Sequence, residues 1–291
     1  MRGVNSNVRS PTPAPGRPRR ESAWSFYYIT PTMSATLRSA WVWAAVAVLI
    51  LAWLPLLAIL RLFDADPALY RTGRWFRRLG VAMTRVNPSW RLHRDGERIA
   101  DPRRPYVVVS NHQSLADIPI ISHLPWEMKW IAKVELFQVP AVGWMMRLAG
   151  DIPVDRADRR SGARMLLAAH RVLALRCSVM FFPEGTRSAD GRVGPFNPGA
   201  FHLAIKAGVP VLPVAVEGTR DCLPKKSWKF GPPTDIRLRV LPPVETAPFA
   251  QAGAEELTRE VRRMIIAQIA SWRGVEPSAV DAEISPPAAG S

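Results

Sequence analysis

From Ser39 to Leu60 the chain carries no charged residue, and Arg38 and Arg61 bound the stretch on either side. Such a segment leaves few arrangements open. As one helix, Trp41 to Leu60 reaches roughly 30 Å at about 1.5 Å per residue, the thickness of a bilayer's hydrocarbon. It is too long and too uniformly apolar for a core helix. Trp41, Trp43 and Trp53 suit a membrane interface or a helix flank. Pro55 is expected to kink the helix or end it early. A spanning helix and a monotopic hairpin both remain open, because a basic amphipathic stretch follows. A cleaved signal peptide does not fit: the run is too long and has no clear small-x-small cleavage site. Arginine on both sides gives no orientation.

That following stretch, Tyr70 to Val86, mixes Trp75, Phe76, Leu79, Val81 and Met83 with Arg71, Arg74, Arg77, Arg78 and Arg85. It reads either as a helix at headgroup level or as an amphipathic helix capping a globular domain. Residues 1–38 form a basic segment, rich in Pro, Ser and Arg over its first 32 residues and expected to be disordered there; Met33 is a candidate start. The net charge is +15, of which +10 lies beyond residue 38. A surface of that sign attracts anionic headgroups, nucleic acid or an acidic protein, and charge alone does not choose. Cys177 and Cys222 have neither a disulfide framework nor metal-ligand spacing around them, so two free buried thiols in a reducing compartment are expected.

From Tyr106 onward short β-rich runs alternate with helical patterns. The runs predict strands over 106–110, 129–132, 152–154, 179–182, 211–216 and 236–241. Helices are predicted over 118–123, 137–148, 159–176, 198–207 and 255–272. This is an α/β domain, a mixed and largely buried sheet flanked by helices, with the membrane-anchoring helix or helical hairpin before it. The expected organisation is a basic segment to residue 38, anchor and interfacial helix over 39–98, catalytic domain over 99–276, and a loose tail over 277–291. Pro210 and Pro213 place the strand over 211–216 at an edge or a bulge.

Two segments can carry chemistry. In Asn111-His112-Gln113-Ser114-Leu115-Ala116-Asp117 a histidine follows a buried strand and an acid stands five residues on. If His112 lies on the turn and Asp117 in the first helical turn, the carboxylate accepts the Nδ1 proton and Nε2 is left to take a proton from a hydroxyl. The same spacing also fits plain helix capping by Asp117. In Phe182-Pro183-Glu184-Gly185-Thr186-Arg187 a strand ends in a turn offering N–H groups, the Thr186 hydroxyl and the Arg187 guanidinium, a group suited to phosphate. Glu184 is expected to fix Arg187 or bind a substrate hydroxyl; a plain turn with an Arg–Glu surface pair is the bland alternative. Lys133 and Arg156 follow two further strand ends. His93, His123, His170 and His202 read as surface or packing residues.

Taken together, Asn111-His112-x4-Asp117, the segment Gly150 to Arg156, Phe182 to Arg187 and Val209-Pro210-Val211-x-Pro213 resemble the four ordered blocks of the glycerolipid acyltransferase family, in particular its 1-acylglycerol-3-phosphate (lysophosphatidate) acyltransferases. The resemblance covers about residues 105 to 220. It implies His112 as base supported by Asp117, and acceptor-phosphate binding by Gly185, Thr186 and Arg187 with Arg156 and Lys133. It implies transfer from an acyl thioester, acyl-CoA or acyl carrier protein as co-substrate, to the hydroxyl of lysophosphatidate. A thioester is already activated, so neither metal nor bound cofactor is called for. The catalytic domain is expected at the cytoplasmic side of a membrane, the inner membrane if the source is bacterial. Another acceptor (a lyso-ornithine lipid or glycerol-3-phosphate) is the rival within the class. A non-catalytic basic lipid- or nucleic-acid-binding protein is the rival outside it, and no nucleic-acid-binding motif is visible.

Overall fold

The computed structural model describes residues 34–225 and 227–284. The segment over which disorder is expected and the candidate start at Met33 lie outside the described residues. The described chain begins with helix α1 (Ala35–Leu62), capped by the Ser34 hydroxyl on the N–H of Leu37, and α2 (Tyr70–Arg85). There follow β1 (Trp90–Gly96), β2 (Val107–Ser110), α3 (Asp117–Ile121), β3 (Met128–Lys133), a 3-10 turn (Val134–Gln138), α4 (Val142–Ala149) and β4 (Ile152–Val154). The second half holds α5 (Arg159–Ala174), β5 (Ser178–Phe181), α6 (Gly199–Ala207), β6 (Val211–Glu217), α7 (Thr219–Cys222), β7 (Thr234–Val240), α8 (Phe249–Ala252), α9 (Ala254–Arg273) and α10 (Pro277–Val280).

The seven strands make one sheet in the order β1-β7-β6-β2-β5-β3-β4. Neighbours pair in parallel except β6 with β7, so the sheet is mixed. Its centre is buried on both faces, which is why β2, β5 and β6 read as unbroken apolar runs. The two-residue alternation then sorts side chains. Val107, Val109, Val179 and Phe181 face α5, α6 and α9, where Leu173, Phe201, Leu257 and Ile265 cover them. Val108, Met180, Leu212 and Val214 face Ile120 and Ile121 of α3, Trp126, and Val42 of α1. Each such aliphatic side chain contributes about 1.5–3 kcal/mol by leaving water.

Helix α1 runs through Pro55 to Leu62, so the proline does not end it. Its contacts lie along its length: Val42 joins the cluster under the sheet, while Leu57 and Leu60 pack with Leu79 of α2 and Met145 of α4. Helix α2 buries Thr72, Gly73, Arg77, Leu79 and Thr84 against the domain, the capping arrangement.

Four sequence expectations change. The helix over 137–148 is broken, because Pro140 cannot continue it; a 3-10 turn precedes the break and α4 follows. Strand β6 is central rather than at an edge. Its pairing with β7 begins only at Val214, so Pro213 sits just before that ladder. Strand β1 went unread, and the sheet therefore reaches back into the segment assigned to the anchor; it is an edge strand joined to β7 by Arg91–Asp235 and Asp95–Arg239 ion pairs rather than by apolar alternation. Finally, residues 277–284 are no loose tail. Val280 is buried, Val193 and Asp281 form a β-bridge, and Arg262 of α9 holds Asp281. Cys177 and Cys222 are free and buried.

Candidate active site

Because β2, β3, β4, β5 and β6 run parallel, their C-terminal ends open on one edge of the sheet, the usual place for ligands in α/β folds. The loop after β2 is fixed first. Asn111 bonds to both backbone groups of Val216 in β6, its amide donating at 2.8 Å and its carbonyl accepting at 3.0 Å. The chain then turns, leaving His112 on the turn and Asp117 at the first position of α3.

The Asp117 carboxylate is fully buried and collects donors. One oxygen accepts from His112 Nδ1 (2.7 Å), the N–H of Gln113 (2.7 Å) and the N–H of Ser114 (2.9 Å). The other accepts from the Thr219 hydroxyl. Asp117 therefore caps the turn and orients the imidazole at once; the two sequence readings are both true. With Nδ1 donating to a carboxylate, Nε2 is the nitrogen left for a substrate proton. The ring is clamped from its face as well, stacked on Phe182 at 3.9 Å between centroids and 16° between planes. Its side chain retains 13% exposure, enough to be reached.

The second motif is knitted to the first through the backbone of His112. Glu184 accepts the N–H of His112 at 2.7 Å, and the N–H of Ser188 donates to the carbonyl of His112 at 2.8 Å. The other Glu184 oxygen accepts the N–H of Gly194 at 2.9 Å. Glu184 thus does not fix Arg187, one of the two roles expected of it from sequence; backbone N–H groups bond to both its oxygens. Burial pushes its carboxyl up to about 7, against those two N–H groups, which favour the carboxylate. Gly185 takes φ +70°, where a side chain is disfavoured, and its N–H closes the turn on the carbonyl of Phe182 at 3.0 Å. Thr186 is exposed and Arg187 half-buried; the Arg187 carbonyl accepts from Lys225 Nζ at 3.2 Å.

The edge thus brings together His112, Asp117, Glu184, Gly185, Thr186 and Arg187. Lys133, at the end of β3, and Arg156, just beyond β4, are exposed on the same edge but farther out. With strands about 4.8 Å apart, Lys133 stands roughly 10 Å and Arg156 roughly 14 Å along the sheet from β2. Sequence reasoning missed Asn111, Thr219, Phe182 and Gly194 as parts of the site. Only Asn111 and Phe182, flanking the motifs, carried any signal; Thr219 lies 102 positions from the acid it binds.

Residues 91–217 match the family model described as Acyltransferase. A chloroplastic 1-acyl-sn-glycerol-3-phosphate acyltransferase of Brassica napus is 40% identical over 148 residues, 51% of this chain and 43% of the relative. The alpha form of the enzyme of that name from Mus musculus is 39% identical over 169 residues, covering 57% and 59%. The chain thus spans about half the length of these curated relatives. The crystal structure of the 1-acyl-sn-glycerophosphate (LPA) acyltransferase PlsC from Thermotoga maritima superimposes with a TM-score of 0.70 at 28% identity, covering 83% of this chain and 97% of the other. His112 and Asp117, paired at the sheet edge, both lie inside the segment that matches the Acyltransferase model.

Proposed function

We propose that this protein is a membrane-bound O-acyltransferase that moves a fatty acyl group from an acyl thioester to the free hydroxyl of lysophosphatidate, giving phosphatidate. One observation carries the reading: His112 is oriented by Asp117 at 2.7 Å, while its own backbone is bonded on both sides to the turn that bears Arg187. An acceptor whose phosphate rests at Thr186 and Arg187 has its hydroxyl delivered to the imidazole.

His112 Nε2 takes the hydroxyl proton as the oxygen attacks the thioester carbonyl. The Asp117 carboxylate, bonded to Nδ1, stabilises the imidazolium. The tetrahedral intermediate carries an oxyanion, for which the candidate donors are backbone N–H groups of the turn beyond Gly185 or, if its side chain reaches in from β3, Lys133; one such donor is worth about 3 kcal/mol. Collapse breaks the C–S bond, and the imidazolium returns its proton to the leaving thiolate. No acyl-enzyme is needed. The donor is acyl-CoA or acyl carrier protein, the latter suited to a chain of net charge +15.

Helix α1 supports the membrane reading. Its outer face exposes Trp41, Val48, Leu51 and Leu62, the last at 81%, while its inner face lies against the domain from Val42 to Leu60. A helix packed lengthwise in this way lies in one leaflet rather than crossing, with the catalytic domain at the cytoplasmic surface where the thioester donors are found.

The test is a panel of acceptors with one labelled thioester, run on the parent and Arg187→Ala. Lysophosphatidate is expected to be acylated and acceptors without phosphate to fail. Arg187→Ala is expected to raise the acceptor KM by about 10–100-fold, the worth of a charge-assisted bond. If only the thioester KM moves, the phosphate assignment is wrong.

A further inference from the structure

The loop of residues 223–233, between α7 and β7, joins the catalytic edge to the start of α1. At its first residue, the carbonyl of Leu223 accepts the Ser114 hydroxyl of the catalytic turn at 2.8 Å. Lys225 Nζ then holds the carbonyl of Arg187. Farther on, the Trp228 carbonyl accepts Trp43 Nε1 at 2.7 Å, the Phe230 N–H donates to the Ser39 hydroxyl at 2.9 Å, and the Gly231 carbonyl accepts an Arg38 guanidinium N–H at 2.6 Å. The Phe230 ring packs on Trp43 at 5.2 Å. The loop is therefore fixed to the first three turns of the anchor helix and cannot sit far from whatever α1 sits in.

At its tip, Trp228 is 50% exposed with Lys229 Nζ 5.9 Å from its ring. Nothing in the acyl-transfer chemistry uses this pair. An exposed tryptophan flanked by lysines suits the boundary between headgroups and acyl chains, and lysines at that level are drawn to anionic lipid. We propose that this loop is a second membrane contact: Trp228 enters the interface of an anionic bilayer beside α1, and Lys225 and Lys229 meet headgroup phosphates. Through the Lys225–Arg187 contact, seating the loop sets the phosphate-binding turn at the height of the acceptor lipid. The proposal rests on the membrane reading of α1 given above.

The test uses the full chain with an environment-sensitive fluorophore on Trp228→Cys, and separately on Trp41→Cys; the native thiols are buried. Each is mixed with vesicles of phosphatidylcholine alone or with phosphatidylglycerol added. The label at 41 is expected to shift to the blue on both vesicles. The label at 228 is expected to shift only with phosphatidylglycerol, to lose access to aqueous iodide, and to be reversed by salt. Lys225→Gln with Lys229→Gln is expected to raise the lipid needed for the shift at 228 by about 30-fold, leaving the shift at 41 in place. A label at 228 that keeps full iodide access while that at 41 inserts overturns the loop contact and spares the membrane reading. No shift at either position overturns both. A shift at 228 on adding acyl carrier protein, and none on adding vesicles, makes the loop a protein dock and also overturns the proposal.

Discussion

Two sets of carboxylates, one at the sheet edge that carries His112 and one beneath α2, are held in opposite ways. Asp117 and Glu184 receive neutral donors: an imidazole N–H, a hydroxyl and four backbone N–H groups, with no cation among them. Glu127 and Asp151 lie instead among cations. Arg77 reaches both, and Lys129 bonds to Glu127 at 3.1 Å and to the carbonyls of Leu69 and Ala149. Burial raises the Glu127 carboxyl, and Lys129 and Arg77 oppose it. The second set is closed: a Cβ at Gly73 of α2 would overlap the Glu127 carboxylate and the Lys129 ammonium. Neutral dipoles orient a charge without cancelling it, which leaves Asp117 able to stabilise a cation on His112. Opposite charges cancel, and what remains is a lock between α2, β3 and α4.

That contrast breaks most sharply at Asp117. Asp117→Asn keeps the size but loses the charge, and kcat is expected to fall by roughly 10²–10⁴-fold with little change in KM. Next in size is Glu127→Leu, which leaves the buried Lys129 without a carboxylate and Arg77 with Asp151 alone, and is expected to cost about 3–5 kcal/mol in denaturant unfolding. The kcat of molecules that remain folded should hold. A large loss of kcat there, or none of stability, would erase the distinction between the two regions.

Glu184 sharpens it through pH. Its carboxyl in the folded protein sits near 7, above the ordinary 4.5, so the folded state keeps a proton that the unfolded chain releases. Stability from this group falls as pH rises from about 4.5 to about 7. Activity moves the other way, because protonation below about 7 costs one N–H bond and loosens His112. Glu184→Gln is expected to flatten that part of both profiles. The smallest effect belongs to His123, bonded to Thr84 and lowered to about 4, chiefly by burial. Its unfolded form takes a proton near 6.5 and its folded form does not, so Tm is expected to fall as pH drops from about 6.5 to about 4. His123→Gln should remove that slope.

What could be read in advance follows from range. Strands β2, β5 and β6 are apolar because both sheet faces are covered, and that is a local signal. The His112–Asp117 pair was legible because both partners lie on one turn. Strand β1 was not, since an edge strand whose side chains pair with Asp235 and Arg239 looks like any charged loop. Pro213 misled because the rule against proline in a sheet concerns the ladder it would break, and that ladder starts one residue later. The role of Glu184 was invisible for another reason. Its partners are backbone N–H groups, one of them 72 positions away, and no residue type announces them.

The claim at the centre is that His112 is the base that removes the acceptor's proton. The direct measurement is the initial rate of acyl transfer to lysophosphatidate in membranes for the parent and His112→Ala, with folding and vesicle binding verified for both. The account requires a loss of at least about 100-fold in the variant with the fold and membrane association intact. A variant rate within about tenfold of the parent would contradict it.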